Sequence, residues 1–145
     1  MSGAKHIAVL YSRGPHFIRA LQVLRKVHSG ATLTAIVPAE YDDKEALEGL
    51  ADAVVTTSSG AVEVLRTIRN GRYDVFVVLF ASPKLRLLAS LSGARERMCC
   101  EPDGHRSPLV ESPFGVVAAI GLARLRGHLT YARLWIIVRI LRVKK

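Results

Sequence analysis

At 145 residues, half of them hydrophobic, the chain is long enough for one domain with a real core and too apolar to be disordered. Its 21 lysines and arginines against 12 acids leave a net charge of +9, which brings nucleic acid and anionic membrane into consideration as partners. That excess is local: no acid follows Glu111, whereas Arg124, Arg126, Arg133, Arg139, Arg142, Lys144 and Lys145 supply seven positive charges, and the preceding part carries 14 basic against 12 acidic residues.

The opening residues Met1 to His6 run straight into an apolar strand without a charged-then-apolar leader, so secretion is not expected. His6 to Tyr11 reads as the first strand, followed by Ser12-Arg13-Gly14-Pro15 and a helix over His16 to His28. Phe17, Ala20, Leu21, Leu24 and Val27 would line one face of that helix, and Ser29-Gly30 would end it. Thr32 to Val37 predicts a second strand closed by Pro38, Lys44 to Leu50 a modest helix, and Asp52 to Thr56 a third strand. Ser58-Ser59-Gly60 is a turn suited to capping a helix over Ala61 to Arg69, with Val62, Leu65 and Ile68 on its apolar side.

Val75 to Phe80 is an unbroken apolar run rich in β-branched and aromatic residues, as expected of a strand buried on both faces in the middle of a parallel sheet. Pro83 suits the first turn of the helix that follows, Leu85, Leu88 and Leu91 recur at helical spacing, and Gly93 supplies a left-handed stop before the next strand. Adjacent Cys99 and Cys100 fit neither a structural disulfide nor CxxC metal spacing and are expected to pack at that strand's end in a reducing cytosol. Alternating strands and helices at these intervals predict a Rossmann-like three-layer α/β/α domain over residues 1–100, with a mostly parallel sheet of about five strands.

Residues 101–113, Glu-Pro-Asp-Gly-His-Arg-Ser-Pro-Leu-Val-Glu-Ser-Pro, are rich in turn formers and predict an irregular connection ending at a helix start, with Ser112 as cap. Residues 114–145 predict C-terminal basic amphipathic helices without the roughly 18 uninterrupted apolar residues of a membrane span. Arg124, Arg126, Arg133, Trp135, Arg139 and Arg142 suit the headgroup zone of an anionic membrane, where long arginines snorkel and tryptophan is at home. A helix completing the core or meeting a partner is the alternative; no recognition module supports nucleic acid.

Candidate chemistry falls on the loop after the first strand, where ligands meet an open α/β sheet. Ser12, Arg13 and Gly14, with the helix N-terminus behind them, suit an anion or a sugar phosphate, and His16 suits a base or a plain first-turn residue. His105 and Arg106 lie in a polar loop with no carboxylate partner fixed by spacing. Asp74 reads as a turn residue that satisfies backbone donors, and Asp42-Asp43 as the lead-in to the second helix. No nucleophile elbow, zinc pattern or Walker motif is present, so neither a metal nor a cofactor is expected. A receiver domain would need an aspartate after its third strand, where Val54-Val55-Thr56-Thr57 offers none, and a flavin site would need aromatic loops that are sparse here.

Lys5-His6-Ile7-Ala8-Val9-Leu10, Ala20-Leu21-Gln22-Val23-Leu24-Arg25-Lys26 and Leu33-Thr34-Ala35-Ile36-Val37, followed by Tyr73-Asp74-Val75 and Leu87 to Arg97 with its Gly93-Ala94-x-x-Arg97 segment, come in a familiar order. Over residues 5–100 the chain resembles the N-terminal, acceptor-side half of the lipopolysaccharide heptosyltransferases, which are GT-B glycosyltransferases. The resemblance implies a role in cell-envelope glycan or lipopolysaccharide biosynthesis, in the cytoplasm and peripheral on the inner membrane. Two departures shape the expectation. The family's first turn carries an aspartate taken as the catalytic base, and Pro15 stands at that position. Family members also have a second, nucleotide-sugar-binding lobe, with no counterpart here. The expectation is therefore an acceptor-half domain that is not catalytic alone, acting as a binding or partner subunit for a donor-domain glycosyltransferase. A small Rossmann-like ligand-binding or signalling module unrelated to sugar transfer is the other reading.

Overall fold

The protein is described by a computed structural model covering residues 4–58 and 60–143, with backbone alone for residue 132 and residues 134–143. In chain order the elements are β1 (His6–Leu10), α1 (His16–Val27), β2 (Thr32–Pro38), β3 (Ala53–Thr57), α2 (Ala61–Gly71), β4 (Val75–Val78), α3 (Pro83–Leu91), β5 (Glu96–Cys100), β6 (Arg106–Pro108) and α4 (Pro113–Val143). The chain divides into two compact units, Met1–Glu111 and Ser112–Lys145.

The first unit is a Rossmann-like α/β/α sandwich around a six-stranded sheet of order β3-β2-β1-β4-β5-β6. Its first five strands are mutually parallel and β6 is antiparallel to β5. Strand alternation sorts the core into two layers. Ile7, Val9, Val75 and Val77 face α1, which contributes Phe17, Leu21 and Leu24. Ala8, Phe76, Val78 and Cys99 face the opposite side, covered by Ile68 of α2 and Ala89 of α3. All four β4 residues are buried, as a central strand covered on both faces requires.

Helix α3 follows its sequence closely. Ser82 is its N-cap, with its hydroxyl accepting from the Leu85 amide at 3.3 Å, Pro83 opens it, and Gly93 lies beyond it at φ +78°. Elsewhere the packing departs from the periodicity. The predicted Lys44–Leu50 helix is a single 3-10 turn at Glu45–Leu47, because Glu48 is already extended and Gly49 turns at φ +76°. In α2, Ile68 is buried and Leu65 half-buried as predicted, but Val62 is 73% exposed and Val64 packs beside Ile68 in its place. The cap of α2 is Gly60, without a side-chain bond, and Ser59 lies outside the described residues. Val27, predicted on the apolar face, closes α1 half-exposed. The connection predicted as irregular holds β6: Met98 pairs with Pro108 and Cys100 with Arg106. The turn between β5 and β6 is held by the Asp103 carboxylate accepting from the His105 amide at 2.8 Å, with Gly104 at φ +86°.

Two aspartates start their strands in the same way. The Asp74 amide donates to the His6 carbonyl, and its carboxylate accepts from the His6 amide at 3.0 Å, which is the turn role expected of it. Asp52 does the same for Leu33, whose amide donates to its carboxylate at 2.7 Å. Asp52 also pairs with Arg25 at 2.8 Å. The Leu33 amide, then Arg25, hold the Asp52 carboxyl below its ordinary pKa. A depressed folded-state pKa contributes stability above the unfolded value that is lost as pH falls through the folded one. Asp52→Asn is therefore expected to cost about 1 kcal/mol near neutrality. Denaturant melts should show that difference shrinking in acid, below the ordinary carboxylate pKa; a pH-independent cost would assign it to packing.

The second unit is one helix. The Ser112 hydroxyl accepts from the Gly115 amide at 3.1 Å, the cap its sequence announces. At 31 residues, α4 is about 46 Å long. The several basic amphipathic helices expected here are thus one continuous helix, and its described apolar side chains are not gathered on one face. Val117, Leu122, Leu125 and Leu129 are all exposed, and arginines interrupt the apolar surface on two sides because Arg124 and Arg126 point nearly opposite ways. Arg124, Arg126 and Arg133 are exposed; the side chains of Trp135, Arg139 and Arg142 lie outside the described residues. Among the described residues no helix is long and apolar enough to cross a membrane.

Candidate functional site

Strand order reverses between β1 and β4, so the loops leaving these two strands open a crevice at the carboxyl edge of the sheet. Tyr11 to Pro15 form one wall. Gly14 takes φ +98°, a conformation that favours glycine, and Pro15 occupies the N-cap of α1 with no side-chain cap bond. His16 begins α1 and meets Phe80, from the loop after β4, edge to face at 6.1 Å. The contact spans the reversal point.

His16 also opens the stripe His16, Arg19, Val23 along α1, one wall of a cleft of about 260 Å³ whose other wall is Cys100, Glu101 and Asp103 from β5 and its turn. Among the described side chains, His16 Nδ1 is the buried polar atom without a hydrogen-bond partner. Such an atom normally carries a desolvation cost that a bound group would relieve. The cleft thus places a guanidinium and an imidazole against two carboxylates, with one Asp103 oxygen committed to the His105 amide. Burial pushes the Cys100 thiol above its ordinary pKa and outweighs Arg106, so the group stays protonated and inert near neutrality.

Of the four residues proposed from sequence, the cleft takes in His16 alone; Ser12, Arg13 and Gly14 stand on the loop at its approach, with Arg13 and Gly14 exposed. His105 and Arg106 belong to the hairpin and do not line the cleft. Arg19, Glu101 and Asp103 were missed. The i, i+3, i+7 stripe from His16 signalled Arg19, whereas the opposite wall depends on β6 pairing. A second, mainly apolar groove of about 250 Å³ lies at the same edge on the other face, between Leu10 and Val37 on one side and Val64 and Leu88 on the other. Among the described residues no group of three or more His, Cys, Asp or Glu side chains is placed to hold a metal ion.

No protein-family model matches the sequence, and no curated protein matches it. Among solved structures the chain is similar to the glycosyl transferase family 9 protein from Veillonella parvula DSM 2008, at 21% identity over 70% of this chain and 33% of that one, with a TM-score of 0.50. It is also similar to the ADP-heptose lps heptosyltransferase II of E. coli, at 18% identity over 64% of this chain and 29% of that one, again with a TM-score of 0.50. The fold is therefore glycosyltransferase-like, that of a heptosyltransferase-type half domain. The chain spans about a third of the length of those two proteins.

Proposed function

We propose that the first unit is an acceptor-half domain that binds a sugar phosphate or lipid-linked sugar at the carboxyl edge of its sheet and does not transfer sugar by itself. The observation that carries this reading is the residue at the start of α1: Pro15 occupies the turn in which the resembled enzymes place their base, and proline, its ring nitrogen tied up in the peptide amide, accepts no proton. The unpartnered His16 nitrogen supports a binding role at the same edge. In this reading the protein is a partner subunit for a donor-domain glycosyltransferase in cell-envelope glycan or lipopolysaccharide biosynthesis, peripheral on the cytoplasmic face of the inner membrane. The arginines of α4 hold it to anionic lipid, each contributing on the order of 1 kcal/mol near the surface.

The test is a transfer assay with nucleotide sugars and membrane-lipid acceptors, run on the full chain alone and with a co-purifying donor-domain protein. The expected result is turnover only with the second protein; turnover by the chain alone refutes the non-catalytic reading. Flotation with anionic vesicles checks the anchor separately. Replacing Arg124, Arg126, Arg133, Arg139 and Arg142 by glutamine should move the protein from the lipid layer to the aqueous one, and unchanged flotation removes the anchor.

A further inference from the structure

A further cleft, of about 430 Å³, lies at the opposite edge of the sheet, where β4 and β5 begin, and shares no lining residue with the His16 cleft. Arg69 and Arg72 reach it from the end of α2, Arg95 from the loop before β5, and Tyr73, Asp74, Ser92 and Gly93 complete the lining. All three arginines are exposed, and among the described residues none of them is in an ion pair or a side-chain hydrogen bond. One Asp74 oxygen is committed to the His6 amide, and Ser92 is buried with its hydroxyl bonded to the Ala89 carbonyl at 2.7 Å. The walls are therefore fixed by the fold, and three arginines line the cleft against one carboxylate, Asp74. Arg69, in the last turn of α2, also offsets that helix's dipole. Arg72, the cap of α2, also stands at that negative end, whereas Arg95 lies outside the helices, where the dipole does not account for it.

The backbone at Arg72 adds a second observation. It is the one described non-glycine residue with positive φ, at +47°, and it forms the left-handed cap of α2. Glycine is the usual occupant, and a residue with a Cβ costs about 1 kcal/mol or more there. The neighbouring glycine, Gly71, is instead the last residue of the helix itself, where a Cβ would overlap the Tyr73 ring. The chain thus holds an arginine at the one described position where glycine would be more stable and where its charge adds to the cleft.

We infer that the Arg69–Arg72–Arg95 cleft binds a phosphate group, carried either by a free phosphate ester or by a lipid headgroup. Arginine forks match phosphate oxygens in pairs, and a dianion relieves the mutual repulsion of the three cations. The experiment titrates the full chain with pyrophosphate, then with phosphatidate vesicles, following the backbone amide NMR signals of residues 69–74 and 92–95. Arg72→Gly is the discriminating variant: it is expected to raise the melting temperature while weakening binding by roughly tenfold, the loss of one charge-assisted contact. Saturation by pyrophosphate marks a free, soluble phosphate compound as ligand. Saturation by vesicles alone, lost in the Arg69→Ala/Arg72→Ala/Arg95→Ala variant although α4 is intact, marks a headgroup. Silent signals in both titrations, or Arg72→Gly binding as tightly as the native chain, overturn the assignment.

Discussion

Truncating Phe76 to alanine is expected to remove about 3–5 kcal/mol of stability, the largest loss predicted for a single side chain here. Phe76 is fully buried in β4, which pairs with β1 on one side and β5 on the other. Its ring fills the layer beneath α2 and α3 together with Ala8, Ile36, Ile68 and Ala89. Two of these are alanines, too small to close over the space a lost ring leaves, so the cavity persists and adds to the lost transfer free energy. Urea denaturation measures this directly, as a lower midpoint with an unchanged slope. A loss below about 1 kcal/mol would mean that the layer repacks and that Phe76 is not its centre.

Gly71→Ala is expected to destabilise by about 1–3 kcal/mol, although alanine is the best helix former. Propensity alone would give a gain of nearly 1 kcal/mol at the end of α2. The tyrosine two residues on reverses the sign, because the added methyl would occupy the space of the Tyr73 ring. Tyr73 is half-buried against the α2–α3 layer, and burial raises its phenol pKa, so swinging the ring out would expose apolar surface. The double variant Gly71→Ala/Tyr73→Ala should lose less than the sum of the two single changes. Additive losses would show that ring and glycine do not interact.

The elements that could be read from the sequence are those whose signal is local. Val75 to Val78 announces itself by being apolar at every position, and α3 by the order Ser82, Pro83, Gly93. Where a second element decides the outcome, the sequence is mute. Whether Val62 or Val64 faces inward depends on the angle at which α2 meets the sheet. Strand β6 has three residues and exists because β5 offers it an edge. The candidate site divides in the same way: His16 follows from standing after the first strand, whereas Glu101 joins it only once the hairpin has folded back. Arg72 could not have been singled out, since nothing in Asn70-Gly71-Arg72-Tyr73 says that the left-handed residue is the arginine instead of the glycine.

The neighbouring cysteines of β5 belong to different layers, Cys99 beneath α2 and α3 and Cys100 beneath α1. Being successive residues of one strand, they point away from each other, so each is shielded by a separate part of the molecule. A thiol reagent therefore reads two independent clocks from adjacent atoms of the chain. Cys100, on the wall of the cleft, is expected to label first, and labelling of Cys99 ahead of it would record a breathing motion that lifts the two-helix side.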